Sequence, residues 1–406
     1  MKHLCRGILF LILIAVLSMF LNQITLNRKS EGCIQLSDFY QLPDHRVDVL
    51  CVGSSHVYYG INTCLLYDSY GIASYLLASP GQPVWISYYL LEEAFKTQSP
   101  QLVVFDIGTL FRKEEDFGAY SWETLISMKP SLSKWNAIRA VNQYKQCLDQ
   151  VGAFFSFPYY HNRYATLTSE DYNKEERVRY NGYKPEFTTI SQKELEKWED
   201  AIRRFGQEAW AAQTEDFGQE NLAAQTGDFE QEIFAAQTGD FEQGILAAQT
   251  DQSETEEETV KCLAKGPQET AVSPDAITER TEYYLRKLIQ FCQDREVMLL
   301  LVNSPFANQA EEKREAGRYI RTVAAEYDVP LLEGNYLVDE MQIDFADDLL
   351  DASHLNYYGS VKYTDYLAQW MQENCRLADR RGDEAYRAWE QESALFLENF
   401  GFSNVE

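Results

Sequence analysis

Short apolar runs that stop abruptly at small or polar residues constrain the fold of this chain more than any other feature. The run VDVLCV at 47–52 is followed by Gly53, and the run LVVFD at 102–106 ends in an aspartate. Runs of this length are typical of strands buried on both faces of a parallel sheet. The predicted strands are Val47–Val52, Ile72–Leu77, Leu102–Asp106, Val297–Val302 and Val329–Leu332.

Segments with helical spacing of apolar residues separate most of these runs. Strands that alternate with helices favour right-handed crossovers and a parallel sheet. We therefore expect an α/β fold whose main domain is built from residues 47–110 and 271–378, with a helical tail at 379–406. Helices are predicted near 62–70, 83–97, 273–295, 309–327, 358–374 and 383–398.

Two segments interrupt the α/β pattern. Residues 111–206 are rich in aromatic side chains, which predicts an insertion that either shapes a substrate cleft or forms a small subdomain core. Residues 207–270 contain Ala-Ala-Gln-Thr at 211, 223, 235 and 247, a period shorter than that of known solenoid repeats. We interpret them as an acidic low-complexity insertion outside the catalytic fold, or alternatively as a partner-binding or wall-binding segment.

The N-terminus determines the predicted compartment. Lys2 and Arg6 precede the apolar run GILFLILIAVLSMFL at 7–21, a pattern that favours a cytoplasmic N-terminus and an exported remainder. We predict a membrane-anchoring transmembrane helix at 1–24, a stalk at 25–46 and an extracytoplasmic catalytic domain. Because the run is short for a membrane span, a cleaved signal peptide and a buried helix remain alternatives.

Charge and motif content exclude several function classes. The net charge of −27 argues against nucleic acid, which needs a basic surface. About half of that charge falls in Gln207–Glu258, so it says little about the folded part. The eight cysteines form no CxxC motif, and no metal-ligand spacing or phosphate-binding glycine loop is present. We therefore expect no metal and no cofactor.

One serine and one histidine are placed as nucleophilic catalysis requires. A serine hydroxyl needs a histidine to take its proton and a third group to orient that histidine. Ser55 follows the first predicted strand, at the carboxyl end where open parallel sheets place their ligands. His354 lies in a loop before a late helix, three residues after Asp351, so one loop can present both groups.

These residues give the chain a resemblance to the SGNH/GDSL hydrolases. Gly53-Ser54-Ser55 resembles the family's first block, whose third residue is the nucleophile, and Asp351-x-x-His354 resembles its last block. The family implies a flavodoxin-like three-layer αβα fold, in which the backbone N–H groups of Ser55 and Gly81 form the oxyanion hole. The third block departs from the family, because Asp106-Ile107-Gly108-Thr109 replaces the usual Gly-x-Asn.

The resemblance is greatest to membrane-anchored cell-envelope members, such as the DltD-like and alginate O-acetylation proteins. It implies an esterase or O-acetyltransferase that acts on a cell-envelope polysaccharide or other glycopolymer. A membrane-bound O-acyltransferase is then an expected partner. The alternative is a non-catalytic scaffold or glycan-binding protein that keeps the fold. A surface adhesin acting through the acidic repeats has only those repeats in its favour.

Three further residues are weaker candidates for substrate binding. His161 and Arg163 lie among tyrosines in the insertion, where tyrosines could stack on sugars and the arginine could hold an anion. An ordinary surface loop is the alternative. Asn303 follows the fourth predicted strand and could line the site, although capping a turn is its simpler role.

Overall fold

One parallel sheet organises the part of the chain that the structure describes. The computed structural model describes residues 2–25, 31–111, 119–144, 150–155, 160–168, 180–206 and 276–400. Its strands are β1 (Val49–Gly53), β2 (Ser74–Ala78), β3 (Leu102–Asp106), β4 (Met298–Asn303) and β5 (Leu331–Glu333). All neighbours pair in parallel, in the order β2-β1-β3-β4-β5. This is the strand order of flavodoxin-like doubly wound sheets. The predicted α/β class and parallel sheet are confirmed.

Helices connect the strands and extend beyond them. The α-helices are α1 (Lys2–Thr25), α2 (Glu31–Phe39), α3 (Ser55–Gly60), α4 (Thr63–Tyr70), α5 (Val84–Ala94), α6 (Ala119–Ser127), α7 (Leu132–Tyr144), α8 (Gln150–Phe155), α9 (Gln192–Glu196), α10 (Glu279–Gln293), α11 (Glu311–Glu326), α12 (Phe345–Asp348), α13 (Tyr357–Asn374) and α14 (Arg387–Phe400). Short 3₁₀ helices are Ile107–Phe111, His161–Ala165, Tyr180–Gly182, Gly334–Tyr336 and Glu384–Tyr386.

The sheet separates two hydrophobic cores. Alternate residues of a strand point to opposite faces. In β1, Leu50 and Val52 belong to the core that includes α5 and α10. Val49 and Cys51 belong to the other core, with α13. Because all five residues of β1 are buried, its sequence is apolar without alternation, as expected for a strand covered on both faces.

The observed elements differ from the predicted ones mainly at their ends. The first strand begins at Val49 instead of Val47, and the carboxylate of Asp48 just before it pairs with Arg380, whose Nε lies 2.7 Å from Asp48 Oδ2. Helix α10 begins at Glu279, later than predicted, and its first turn is capped by the hydroxyl of Thr278. The acidic repeat prediction for 207–270 lies outside the described residues.

The described parts of the aromatic insertion share the cores of the sheet. Leu125 and Ile138, from α6 and α7, belong to the core that contains α5. Tyr183 and Ile190 belong to the core on the opposite face. Within the described part of the chain, these apolar side chains therefore extend the main domain on both sides.

The N-terminal helix contrasts with the rest of the structure in its exposure. Many large apolar side chains of α1 are solvent-exposed, including Leu9 and Phe10. Among the residues that the structure describes, no helix combines the length and apolar character needed to cross a membrane, so the transmembrane helix predicted at 1–24 is not found.

Candidate active site

The predicted nucleophile lies at the switch point of the sheet. β1 lies between β2 and β3. The connection that follows β1 runs toward one edge of the sheet, to β2, and the connection that follows β3 runs toward the other edge, to β4. Such points form a crevice at the carboxyl ends of the strands, where doubly wound proteins bind their ligands. Ser55 is the first residue of α3 and follows β1 by two positions. It is partly exposed, whereas Ser54 is buried.

Three predicted residues form one hydrogen-bonded chain. The Ser55 hydroxyl lies 2.7 Å from Nε2 of His354. Nδ1 of His354 lies 2.9 Å from each carboxylate oxygen of Asp351. A neutral ring that donates from Nδ1 to the carboxylate presents Nε2 as the acceptor for the serine proton. The structure thus brings together the predicted nucleophile, base and orienting acid, in an arrangement like that of a serine catalytic triad.

The loop that carries the acid and the base closes on itself. The Leu350 N–H donates to the carbonyl of His354 at 2.8 Å, and the Asn356 N–H donates to the carbonyl of Asp348 at 2.9 Å. Asn356 also caps α13 by accepting a hydrogen bond from Gly359 N–H. Both ends of the loop are therefore fixed, which limits the positions available to the two catalytic side chains.

Two other segments hold this loop in place. The carbonyl of Ala352 accepts hydrogen bonds from the N–H groups of Ala307 at 3.0 Å and Asn308 at 2.9 Å, which lie after β4. Ile190 N–H, in the aromatic insertion, donates to the carbonyl of Leu349 at 2.7 Å. The end of the insertion is thus directly involved in positioning the predicted base.

Hydrogen bonds keep the orienting carboxylate charged. Partial burial acts to raise the pKa of Asp351, but hydrogen bonds from the His354 ring and from two backbone N–H groups outweigh it and hold the pKa below its usual value. Those N–H groups belong to Ser353, at 2.7 Å, and His354, at 3.0 Å. A carboxylate that stays ionised can orient the histidine and stabilise its protonated form.

Two rings from α3 flank the predicted base. His56 and Tyr59 each approach the His354 ring edge-on, with ring centroids 5.2 Å and 5.3 Å from it. His56 Nδ1 also lies 3.2 Å from the hydroxyl of Ser304. Sequence reasoning missed both residues. The available signal was their spacing of three residues on the helix that begins with Ser55, which places them on one face.

The predicted oxyanion-hole glycine lies in a neighbouring turn. Gly81 has a φ of 58°, in the left-handed region that favours glycine, and follows β2. Register pairs Gly53 with Ala78, so the turns that carry Ser55 and Gly81 leave adjacent strands at the same edge of the sheet. The oxyanion role of Gly81 stays a prediction.

The segment after β3 is where the sequence departs from the SGNH/GDSL pattern that it otherwise resembles. After β3 the chain forms the 3₁₀ helix Ile107–Phe111, in which Asp106 accepts a hydrogen bond from Gly108 N–H at 3.1 Å. The hydroxyl of Thr109 is buried and has no hydrogen-bond partner among the described residues. A carboxylate therefore occupies the end of β3, close to where the family has its asparagine.

The weaker candidates lie apart from the triad's hydrogen bonds. Asn303 is the last residue of β4 and is buried, with its side-chain oxygen lacking a partner among the described residues. His161 and Arg163 lie in a 3₁₀ helix that contacts α1. The hydrogen bonds of the triad join Ser55, His354 and Asp351 to one another. Their substrate-binding role stays a prediction.

No metal-binding cluster accompanies the triad. Within the described ranges, no group of three or more His, Cys, Asp or Glu side chains could hold a metal ion. Comparison of the chain with protein-family models gives no match, and comparison with curated proteins gives none either.

Proposed function

We propose that this protein is a serine acyl-transfer enzyme of the SGNH type, an esterase or an O-acetyltransferase. The observation that carries the proposal is the hydrogen-bonded chain from Ser55 through His354 to Asp351. Its location supports the same conclusion, because the serine follows β1 at the switch point of a 2-1-3-4-5 sheet.

The reaction follows from the roles of the three side chains. Ser55 Oγ attacks the carbonyl carbon of an acyl ester while His354 Nε2 takes the hydroxyl proton, and Asp351 stabilises the resulting imidazolium. When the tetrahedral intermediate collapses, the ester C–O bond breaks and His354 gives its proton to the leaving alcohol. Water or a sugar hydroxyl then attacks the acyl-serine, with His354 again acting as the base.

The oxyanion must be held by backbone donors. Donors aimed at the developing charge supply much of the stabilisation in acyl transfer. The N–H groups of Ser55 and Gly81 are the proposed donors, supported by the adjacency of their turns across the β1–β2 register. Asp106 cannot serve as a donor when ionised, since a carboxylate only accepts hydrogen bonds.

The proposed setting comes from the sequence. Basic residues before the apolar run at 7–21 favour an anchored protein whose catalytic domain faces outward. A cell-envelope polysaccharide or other glycopolymer is the proposed acceptor or substrate, and a membrane-bound O-acyltransferase is the proposed partner that supplies acyl groups. Nucleic acid is not proposed, given the acidic charge.

Covalent labelling tests the proposal directly. The full chain would be treated with a fluorophosphonate and its modified peptide identified by mass spectrometry. We expect one adduct, on Ser55, that is lost in Ser55→Ala and in His354→Ala. The matched control is His45→Ala, because His45 Nδ1 also lies near a serine hydroxyl, 2.8 Å from Ser99 Oγ. Labelling should be unchanged in that control.

The alternative, a non-catalytic scaffold, predicts a different result. A folded protein without any Ser55 adduct, which still binds glycan after Ser55→Ala, would replace the enzyme proposal by the scaffold. The missing asparagine of the third block is the observation that favours this alternative.

A further inference from the structure

A second carboxylate lies directly behind the nucleophile turn. Asp106 ends β3 and is 1% exposed. Its Oδ2 accepts a hydrogen bond from the hydroxyl of Ser54 at 3.2 Å, and its Oδ1 accepts one from Gly108 N–H at 3.1 Å. Because Ser54 directly precedes Ser55, Asp106 connects the third strand to the turn that carries the predicted nucleophile.

Two glycines leave space for this carboxylate. A Cβ on Gly53 would lie 2.7 Å from Asp106 Cβ, closer than real side chains approach. A Cβ on Gly108 would lie 3.2 Å from both carboxylate oxygens of Asp106 and 3.3 Å from His56 Nδ1. The backbone at Gly53 and Gly108 therefore packs closely around Asp106, which restricts the positions that its carboxylate can adopt.

The groups that face Asp106 come from several elements. The buried Tyr363 of α13 interacts electrostatically with the carboxylate, and so does the imidazole of His354. The hydroxyl of Tyr363 has no hydrogen-bond partner among the described residues. Beyond Gly108 lies His56, whose Nδ1 faces Ser304. No Lys or Arg of the described chain forms an ion pair with Asp106.

The charge of Asp106 is costly to bury. Burial raises its pKa from 3.8 to about 6, against the opposing effects of the hydrogen bonds from Gly108 and Ser54 and of the charge on protonated His354. The interaction with His354 is mutual, so an ionised Asp106 favours the protonated imidazole. A general base becomes protonated during the attack, and charge that stabilises this form assists the reaction.

We propose that Asp106 is a positioning residue of the active site, which fixes the Ser54–Ser55 turn and stabilises the imidazolium of His354 during acyl transfer. This inference rests on the proposed function. Asp351 orients the His354 ring through a direct hydrogen bond. Asp106 instead holds Ser54 through a hydrogen bond and attracts the imidazolium of His354 through its negative charge.

Three variants of the full chain are compared with wild type in two assays. One measures turnover of p-nitrophenyl acetate, and the other measures the labelling of Ser55 by a fluorophosphonate as a function of pH. For Asp106→Asn we expect kcat to fall about three- to tenfold with KM unchanged. The loss of Ser55 labelling at low pH, the acid limb of its pH profile, should begin at a lower pH than in wild type, because the imidazolium loses a stabilising charge. Ser54→Ala, which keeps the charge but removes one hydrogen bond, should lower kcat without moving the acid limb.

The matched control is Asp48→Asn, since Asp48 is also buried but lies before β1, at the opposite end of the strands. It should change neither kcat nor the acid limb. If Asp106→Asn leaves both unchanged while wild type labels on Ser55, the inference about Asp106 is wrong and the proposed function stands. If wild type fails to label on Ser55, the proposed function is wrong and the inference falls with it.

Discussion

Two serine–histidine pairs lie at opposite ends of the same sheet. Ser55 and His354 meet at 2.7 Å at the carboxyl ends of the strands. Ser99 and His45 meet at 2.8 Å just before β3 and β1, at the amino ends. Measured by the distance between oxygen and ring nitrogen alone, the two pairs are almost identical.

The two serine–histidine pairs differ in the carboxylate beside the histidine and in their exposure to solvent. Asp351 holds the far nitrogen of His354, whereas no carboxylate of the described chain forms an ion pair with His45. The site of His354 is partly buried among the rings of His56 and Tyr59, while the pair with His45 is exposed. A contact between a serine and a histidine does not by itself define a catalytic site. The orienting carboxylate of Asp351 and the position at the switch-point crevice distinguish Ser55 and His354 from the other pair.

Removing the bases should separate the two pairs most strongly. His354→Ala is expected to lower kcat for p-nitrophenyl acetate by about 10³-fold or more, because Ser55 loses its proton acceptor. His45→Ala should leave kcat within about twofold of wild type. Equal losses in the two variants would mean that neither pair is the catalytic one.

Removing the orienting carboxylate should produce the next largest effect. Asp351→Asn is expected to lower kcat by about 10²-fold or more, because the amide would favour the wrong tautomer of His354. Circular dichroism and thermal unfolding would check that the fold is retained. A variant with full activity would place Asp351 outside the catalytic site and make the two serine–histidine pairs equivalent.

Asp106 should show a linked effect on stability. Because its pKa rises from 3.8 to about 6 on folding, the folded protein binds more protons between these values and loses stability as pH increases through them. The loss amounts to at most about 3 kcal/mol. Asp106→Asn has no carboxyl group at this position and therefore lacks this loss. The free energy of unfolding of the variant, minus that of wild type, should therefore become more favourable to the variant between pH 4 and pH 7.5.

Urea unfolding at the two pH values measures the difference, with the slopes compared to confirm that the same surface is exposed. Asp48→Asn provides the contrast, since it breaks the ion pair with Arg380 and should destabilise the protein at neutral pH. A relative stability of Asp106→Asn that is the same at both pH values would contradict the raised pKa.

The flanking rings should have the smallest effect. Tyr59→Ala removes one edge contact to His354 and is expected to lower kcat about two- to tenfold, since the hydrogen bond to Asp351 still orients the ring. Tyr75→Phe serves as the comparison, because this buried tyrosine belongs to the core and its hydroxyl donates only to the carbonyl of Gln35. An unchanged kcat for Tyr59→Ala would mean that the Tyr59 ring does not contribute to catalysis.

Local sequence predicted those features that local interactions determine. Helix α4 has Asn62 as its N-cap and Gly71 in a left-handed C-terminal position, both readable from residue type. The apolar runs predicted the parallel sheet for the same reason. Asp351 and His354 could be found because three residues separate them and one loop carries both.

Other features depend on contacts that no local pattern encodes. His56 directly follows Ser55 in the sequence, yet its ring contacts that of His354, and Ser304 lies beside it because β4 ends at the same edge of the sheet. Asp106 looked like the end of an apolar run until the hydrogen bond to Ser54, 52 residues away, showed its position. The contact of Asp106 with Ser54 depends on the pairing of β3 with β1, which tertiary structure determines.

The triad joins two distant halves of the gene product. Ser55 precedes His354 by 299 positions, and β3 pairs with β4 across the long intervening segment. The first half supplies the nucleophile with β1, β2 and β3, and the second half supplies acid and base with β4 and β5. Neither half contains a working set of catalytic groups. The predicted triad is therefore complete only when the two halves pack together, through the pairing of β3 with β4 and through helix contacts such as that of α13 with α3.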